Sequence, residues 1–307
     1  MTDKRKFFFF LFAGIGILLV LSSCTPTSEF HIPTVLPSVS PTALPMPTQT
    51  FTPTPTKVPT PTPGLGSTMI SPKDSMVMIY VPEGEFTMGS DYGEANSQPV
   101  HLVYLDAFWI DRTEVTNGMY ALCVADGSCQ PPTTSSSIDR SNYYGNPEFD
   151  NYPVIYVDWN MAEAYCQWAG RGLPTEAEWE KAARGTDGRT YPWGNDAPDA
   201  NLLNFELNLG DTTAVGNYPA GASSYGALDM AGNVWELVAD WYQSDYYTIL
   251  GKNAVNPQGP QVGKYRVMRG GAWGIFAFGV TSTVRVRYLP SSSNYDVGFR
   301  CARDAGP

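Results

Sequence analysis

Oxygen-bearing side chains are concentrated in one stretch, Tyr225–Tyr242, which reads YGALDMAGNVWELVADWY. Asp229, Asn233 and Glu236 supply carboxylate and amide oxygens there, and Gly232 permits a sharp turn between them. Hard cations such as calcium bind roughly six to eight oxygens from carboxylates, amides and main-chain carbonyls. The spacing therefore indicates a calcium site. The alternative is a polar turn in which the carboxylates only accept hydrogen bonds from backbone N–H groups.

The same stretch resembles a family signature, and other segments follow that family in the same order. GALDMAGNVWEL is similar to the G-L-x-N/D-M-x-G-N-V-W-E-W motif of the formylglycine-generating-enzyme family, also called sulfatase-modifying factors. The further matching segments are Phe86–Gly89, Glu114–Asn117, Val154–Trp159, Gly172–Glu180, Tyr191–Gly194, Arg269–Trp273 and Gly298–Cys301. The resemblance covers nearly the whole chain after about Ser75.

This resemblance implies a fold and two calcium sites. The expected fold is α+β, an elaborated C-type-lectin-like architecture that is loop-rich, with short strands and about three helices. One calcium site would use the side chains of Asp229 and Glu236 with the carbonyls of Gly232 and Val234. The other resembles a looser set, namely Asn204, the carbonyl of Phe205 and Asp211, with Asn201 as a rival for Asn204.

The catalytic residues of the family are not carried over. Its founding activity oxidises a cysteine in a Cys-x-Pro-x-Arg sulfatase peptide to formylglycine, using copper held by two cysteine thiolates. Cu(I) prefers such soft ligands. Those cysteines fall at Ile275 and Val280 here, and the serine of the R-G-G-S-W motif falls at Ala272. Iron-dependent relatives use histidines from a partner domain, whereas this chain has two histidines, His31 and His101. Copper is therefore not expected.

Two functions remain open. The first is a non-catalytic binding module for an unknown protein, peptide or glycan, with Phe276 and Phe278 as a possible ligand surface; the alternative for these two rings is a place in the core. The second is a formylglycine-generating oxidase. A net charge of -11 argues against a nucleic-acid partner, which would require basic patches.

The cysteines are consistent with an exported protein. Of the five, Cys123 and Cys129 flank a short turn containing Ala-Asp-Gly-Ser and are natural disulfide partners. The family resemblance implies a second disulfide between Cys166 and Cys301. The alternative for these four residues is free buried thiols.

The N-terminal segment predicts a lipid anchor. Residues 1–23 combine a basic start with an apolar run, Phe7–Leu21, that suits a signal peptide. Leu21–Cys24 resembles a bacterial lipobox, in which diacylglycerol is attached to the sulfur of Cys24; an uncleaved membrane anchor is the alternative. Residues 24–66 would then be a Pro/Thr-rich disordered stalk. Both features predict an extracytoplasmic protein, lipid-anchored to the cell envelope.

Residues 67–307 have the composition of one globular domain. Helices are predicted from Thr116 to about Asp126, from Asp158 or Asn160 to Gly170, and from Thr175 to Gly185, where Thr175 and Glu178 suggest a capping box. Glu180 and Arg184 should form a surface pair on that helix. Strands are predicted at 76–81, 85–88 and 100–109, the last of them half-buried.

Overall fold

The computed structural model describes residues 63–306. No helix within this range is long and apolar enough to cross a membrane. The signal peptide, Cys24 and nearly all of the stalk lie outside the described residues, and so does His31.

The strands are short and lie in three sheets. They are β1 Thr68–Ile70, β2 Val77–Val81, β3 Gly84–Met88, β4 His101–Leu105, β5 Phe108–Asp111, β6 Trp235–Trp241, β7 Asn253–Val255, β8 Arg266–Arg269, β9 Val286–Tyr288, β10 Val297–Phe299 and β11 Ala302–Asp304. The sheets have the orders β1-β2-β5-β11, β10-β6-β8-β9 and β3-β4-β7. Both parallel and antiparallel pairs occur, since β10 runs parallel to β6 while β8 runs antiparallel to it.

The three predicted helices are confirmed. They are α1 Asn117–Ala125, α2 Trp159–Trp168 and α3 Glu176–Arg184, and their N-caps are Thr116, Asp158 and Thr175. The predicted capping box is present in α3. A short fourth helix, α4 Tyr246–Leu250, was not predicted, because its five residues are too few to show a helical repeat of apolar side chains. The expected α+β, loop-rich architecture is therefore confirmed.

The single strand predicted at 100–109 is wrong. β4 ends at Leu105 and β5 begins at Phe108, and the two strands belong to different sheets. The break is stabilised at Asp106, whose N–H donates to Asn256 Oδ1 (2.9 Å) and whose carboxylate accepts from Asn256 Nδ2 (2.8 Å). Asp106 fits the alternation of apolar and polar side chains expected of one continuous strand, but it lies at the corner between two strands.

Both predicted disulfides are present. Cys123 and Cys129 are bonded across the turn that follows α1, and Cys166 in α2 is bonded to Cys301. Cys301 lies between β10 and β11, so the second disulfide joins α2 to a segment 135 residues away in the sequence. Closing so long a loop restricts the unfolded chain and is worth about 4–5 kcal/mol on the chain-entropy model.

The pair Glu180–Arg184 is not on the surface. Both residues are buried, and Glu180 also accepts a hydrogen bond from Arg269 (2.5 Å). Glu176 on the same helix pairs with Arg285 at 2.6 Å. The inner face of α3 therefore carries charged groups, each with a partner from a distant part of the chain. The predicted surface pair is in fact part of a buried ionic network.

Candidate functional site

The predicted calcium-binding stretch turns repeatedly through left-handed backbone before it enters β6. Asp229, Gly232 and Asn233 have φ values of 57°, 77° and 58°. A Cβ at Gly232 would lie 2.3 Å from the carbonyl oxygen of Asn204, so only glycine fits there. The turn places the carboxylates of Asp229 and Glu236 in the interior, where both side chains are buried.

Glu236 forms a buried ion pair that the sequence analysis did not anticipate. Its Oε2 accepts from Arg300 Nε (2.6 Å) and from Trp179 Nε1 (2.8 Å), and its Oε1 accepts from Arg300 Nη2 (2.7 Å). A carboxylate has about four lone-pair positions, so Oε1 retains one free acceptor position. Glu236 is thus first of all the partner of Arg300, with limited capacity for a metal ion.

The sequence analysis missed Glu114, which lies beside these residues. Its Oε1 accepts from Asn233 Nδ2 (3.0 Å), whereas its Oε2 is buried and has no hydrogen-bond partner within residues 63–306. Burial, followed by the charges of Asp229 and Glu236, holds the pKa of Glu114 well above its usual range. The available signal was its position in the Glu114–Asn117 motif, to which no role was given.

Within the described residues, three buried carboxyls here face one guanidinium, and the raised pKa values of Glu114 and Asp229 favour their neutral forms while no cation is bound. Asp229 accepts from the Gly216 N–H (2.6 Å), and burial raises its pKa. Of these three carboxyls, only that of Glu236 accepts hydrogen bonds from the guanidinium of Arg300, whose other hydrogen bonds go to main-chain carbonyls. No three acidic, histidine or cysteine side chains in the described chain form a ready metal cluster. The orphaned Oε2 of Glu114 nevertheless fits a cation that also draws on main-chain carbonyls.

The looser predicted calcium set is only partly brought together. Asn204 Nδ2 donates to the carbonyl of Asp211 (2.9 Å), and Asn204 Oδ1 is buried without a partner in the described chain. The carbonyl of Phe205 accepts from Asn208 N–H (3.0 Å). Asn201 is exposed, and its N–H donates to Asp199 (2.7 Å), so Asn204 is the asparagine that lies beside Asp211.

The carboxylate of Asp211 already has several donors. Arg140 Nη1 lies 2.8 Å from Oδ2, which also accepts from the hydroxyl of Ser137 and from the N–H of Asp139 (3.1 Å). Oδ1 accepts from the N–H of Thr212 (2.7 Å). Arg140 therefore neutralises much of the charge that a calcium ion would neutralise, and the set around Glu114 fits a cation better.

The positions of the family's copper ligands are apolar and packed. Val280 is fully buried in a cluster with Leu203 and Phe205, and Ile275 lies half-buried against the same cluster. Ala272 is also fully buried. None of these side chains has a lone pair to offer a metal.

A groove of about 1320 Å³ opens beside these positions, lined among others by Ile275, Phe276 and Phe278. The side chains of Phe276 and Phe278 are 58% and 76% exposed, so they do not belong to the core. Asp91 and Glu94 on the loop after β3 also line the groove and are exposed. The geometry provides an open apolar surface with acidic residues nearby.

The chain is similar to proteins with several different names. A family model described as the sulfatase-modifying factor enzyme 1-like domain matches residues 67–305. The formylglycine-generating enzyme of Streptomyces coelicolor is 33% identical over 76% of this chain and 91% of that protein. Serine/threonine-protein kinase pkn1 of Chlamydia caviae is 38% identical over 74% of this chain, which spans only 38% of the kinase's length.

Solved structures agree with the sequence comparisons. PvdO from Pseudomonas aeruginosa superimposes with a TM-score of 0.67 at 26% identity, covering 79% of this chain and 99% of PvdO. The Treponema denticola variable protein 1 shares the fold, with a TM-score of 0.64 at 24% identity over 77% of this chain and 98% of that protein. The C-type-lectin-like fold expected from the sequence is confirmed.

One prediction concerns the ion pair between Glu236 and Arg300. Glu236→Ala should destabilise the fold by about 3–5 kcal/mol, because it leaves a guanidinium buried without its partner. Urea unfolding in the presence of excess chelator measures this change in the free energy of unfolding without a contribution from bound calcium. The double variant Glu236→Met, Arg300→Met should recover much of the loss, while Asp187→Ala, which breaks an exposed pair with Arg189, should cost under about 1 kcal/mol. Equal effects of Glu236→Ala and Asp187→Ala would contradict this interpretation.

Proposed function

We propose that this chain, which belongs to the sulfatase-modifying factor enzyme 1-like domain family, is a non-catalytic binding module stabilised by calcium. The observation that carries the proposal is the apolar character of Ile275 and Val280, which occupy the positions of the family's copper-binding cysteines. The four cysteines between residues 63 and 306 are all in disulfides, so none offers a free thiolate in their place. The decisive test is a paired assay of Cu(I) binding and peptide oxidation, with neither expected.

The ligand surface in this proposal is the groove beside Phe276 and Phe278. Two phenylalanines exposed to water at the mouth of a groove are typical of a binding surface, because a protein gains nothing from exposing large apolar rings otherwise. The chain matches only 38% of the length of the kinase-named relative from Chlamydia caviae, which also supports a module that is combined with other segments. The alternative, a formylglycine-generating oxidase, gains support from overall similarity but from no residue at the copper positions.

The proposed calcium ligands are oxygens around Glu114. The side chains of Glu114 and Asp229, the remaining acceptor position of Glu236 and the carbonyls of Gly232 and Val234 would supply oxygen ligands only, which suits a hard cation. Binding would have to draw these groups together, since no three acidic side chains in the described chain form a ready cluster. Bound there, calcium would neutralise buried carboxylates that otherwise repel one another. The set comprising Asn204, Phe205 and Asp211 is a second proposed site, made weaker by Arg140.

The proposed location is extracytoplasmic, with the protein anchored to the cell envelope by lipid on Cys24. Each buried methylene contributes about 0.8 kcal/mol to membrane binding, so two or three acyl chains would hold the protein firmly. The support is the order of the basic start, the apolar run and Leu21–Cys24 in the sequence.

Cys24→Ala should therefore release the protein from membranes or leave it with an uncleaved leader. Metabolic labelling with a fatty acid and membrane fractionation measure the two outcomes. Cys24→Ser is a matched control for size and should behave like the alanine variant. A variant that still incorporates fatty acid and fractionates as before would show that Cys24 is not the lipid attachment site.

A further inference from the structure

Two neighbouring loops expose four large apolar side chains on one part of the surface. Residues 206–209 and 274–278, named here the apolar loop pair, carry Leu207, Leu209, Phe276 and Phe278. The first three are each 58% exposed, and Phe278 is 76% exposed. Isolated exposed apolar residues are ordinary, whereas a group of them on adjacent loops marks an interaction surface.

Hydrogen bonds hold the two loops together. The N–H of Glu206 donates to the carbonyl of Ile275 (3.0 Å), and the N–H of Leu207 donates to that of Trp273 (2.9 Å). The N–H of Ala277 donates to Glu206 Oε1 at 3.3 Å. The two loops that carry the four apolar side chains are therefore held against each other and are not independent.

The backbone under this surface is strained. Glu206 and Leu207 have φ values of 51° and 60°, in the left-handed region that favours glycine. Such a conformation costs about 1–3 kcal/mol for other residues and is concentrated at binding and catalytic sites. An exposed leucine adds no core contact that would offset this cost. The strained backbone thus presents a largely exposed leucine where glycine would be the relaxed residue.

We propose that the apolar loop pair docks a protein partner whose own apolar contact is surrounded by lysine or arginine. This inference rests on the proposed binding role and specifies the partner's chemistry. Charge complementarity supports it, because Glu206 lies within the patch, and the exposed Asp91 and Glu94 line the neighbouring groove. Of the arginines in that lining, Arg184 and Arg285 are paired with Glu180 and Glu176, which leaves Arg287 as the exposed cation, and the chain has a net charge of -11. An anionic membrane or a second copy of this acidic chain would be repelled.

The test selects random dodecapeptides displayed on phage against the full chain, purified in mild detergent. The enriched peptides should combine apolar residues with lysine or arginine. A synthetic peptide from this pool should bind with an affinity that falls as salt is added. Phe278→Ser should weaken binding at least about tenfold, as expected for a central aromatic contact. Val262→Ser should leave affinity unchanged, because Val262 is apolar and 82% exposed but outside the patch.

Two further variants separate binding from folding. Leu207→Gly should weaken binding of the peptide about tenfold. It should leave the melting temperature of the protein unchanged or raise it, because glycine relieves the strain of the left-handed backbone. The triple variant Asp91→Asn, Glu94→Gln, Glu206→Gln should weaken binding about tenfold and reduce its salt dependence. Its new side chains keep the oxygens that accept hydrogen bonds from Val100 and Ala277.

The outcomes also separate this inference from the proposed function. Enrichment of acidic peptides, or binding that Leu207→Gly and Phe278→Ser leave intact, would overturn the inference. If Tyr92→Ser alone abolished binding, the chain would remain a binding module whose site lies in the groove but outside the apolar loop pair, because Tyr92 lines the groove and belongs to neither loop. Binding of a glycan array but of no peptide would likewise overturn only the partner class. No binding of either would overturn both proposals.

Discussion

Chelation of calcium should lower the melting temperature of the wild-type protein by about 10 °C. A ligand present at about 1,000 times its dissociation constant stabilises the folded state by about 4 kcal/mol. For a domain of this size, each kcal/mol corresponds to about 2–4 °C. The physical reason is the group of buried carboxyls around Glu114, which within residues 63–306 is faced by one compensating cation, Arg300. Differential scanning calorimetry with calcium and with excess chelator measures the shift.

Glu114→Gln identifies the site within this experiment. The amide keeps an oxygen that can accept from Asn233, but it removes the charge that calcium would bind. The variant should melt at nearly the same temperature with calcium and with chelator, and its chelated form should be at least as stable as the chelated wild type. Glu148→Gln, an exposed substitution of the same type, should retain the full calcium response.

Elemental analysis completes this test. One calcium per chain that is lost in Glu114→Gln would agree with the site around Glu114. Two calcium ions per chain, one of which is lost in Asn204→Ala, would support the second site at Asn204 and Asp211 as well. An unchanged melting curve on chelation, together with no bound calcium in the wild type, would contradict both sites.

Local features of the fold could be predicted from the sequence because their determinants are close together in the chain. Thr175 and Glu178 are three residues apart, and they form the capping box that begins α3. Cys123 and Cys129 are six apart and form the predicted disulfide. In each case the interacting residues can be identified without knowing how distant segments meet.

Long-range partners explain what could not be predicted. Glu236 pairs with Arg300, 64 residues away, and Glu114 meets Asn233 across 119 residues. A motif shows that such a residue matters but not which group it touches. The spacing of Glu180 and Arg184 predicted an exposed helical pair. In the structure Glu180 is buried and also pairs with Arg269 from β8. The sequence pattern therefore indicated Asp229 and Glu236 but not the distant groups, Glu114 and Arg300, that lie beside them.

The purified protein should show no formylglycine-generating activity, which is the largest difference from the enzymes it resembles. Cu(I) requires soft ligands, and the carbon side chains of Ile275 and Val280 provide none. With both disulfides formed, denatured protein without its lipidated segment should contain no free thiol. A Cys-x-Pro-x-Arg peptide incubated with the chain, copper and oxygen should remain unmodified by mass spectrometry. Oxidation of the peptide that is lost in Cys123→Ser would instead show a displaced copper site.

Restoring the missing ligands provides the converse test. The triple variant Ala272→Ser, Ile275→Cys, Val280→Cys should gain tight Cu(I) binding, because positions 275 and 280 contact one apolar cluster and their thiols would be close neighbours. Cysteines at 276 and 278 are the matched control. The side chains there are exposed, so thiols at those positions should react rapidly with iodoacetamide and bind copper weakly. Equal copper affinity in the two variants would mean that the scaffold does not preserve the family's copper geometry. Tight binding in the first variant alone would mean that the scaffold lacks only its copper ligands.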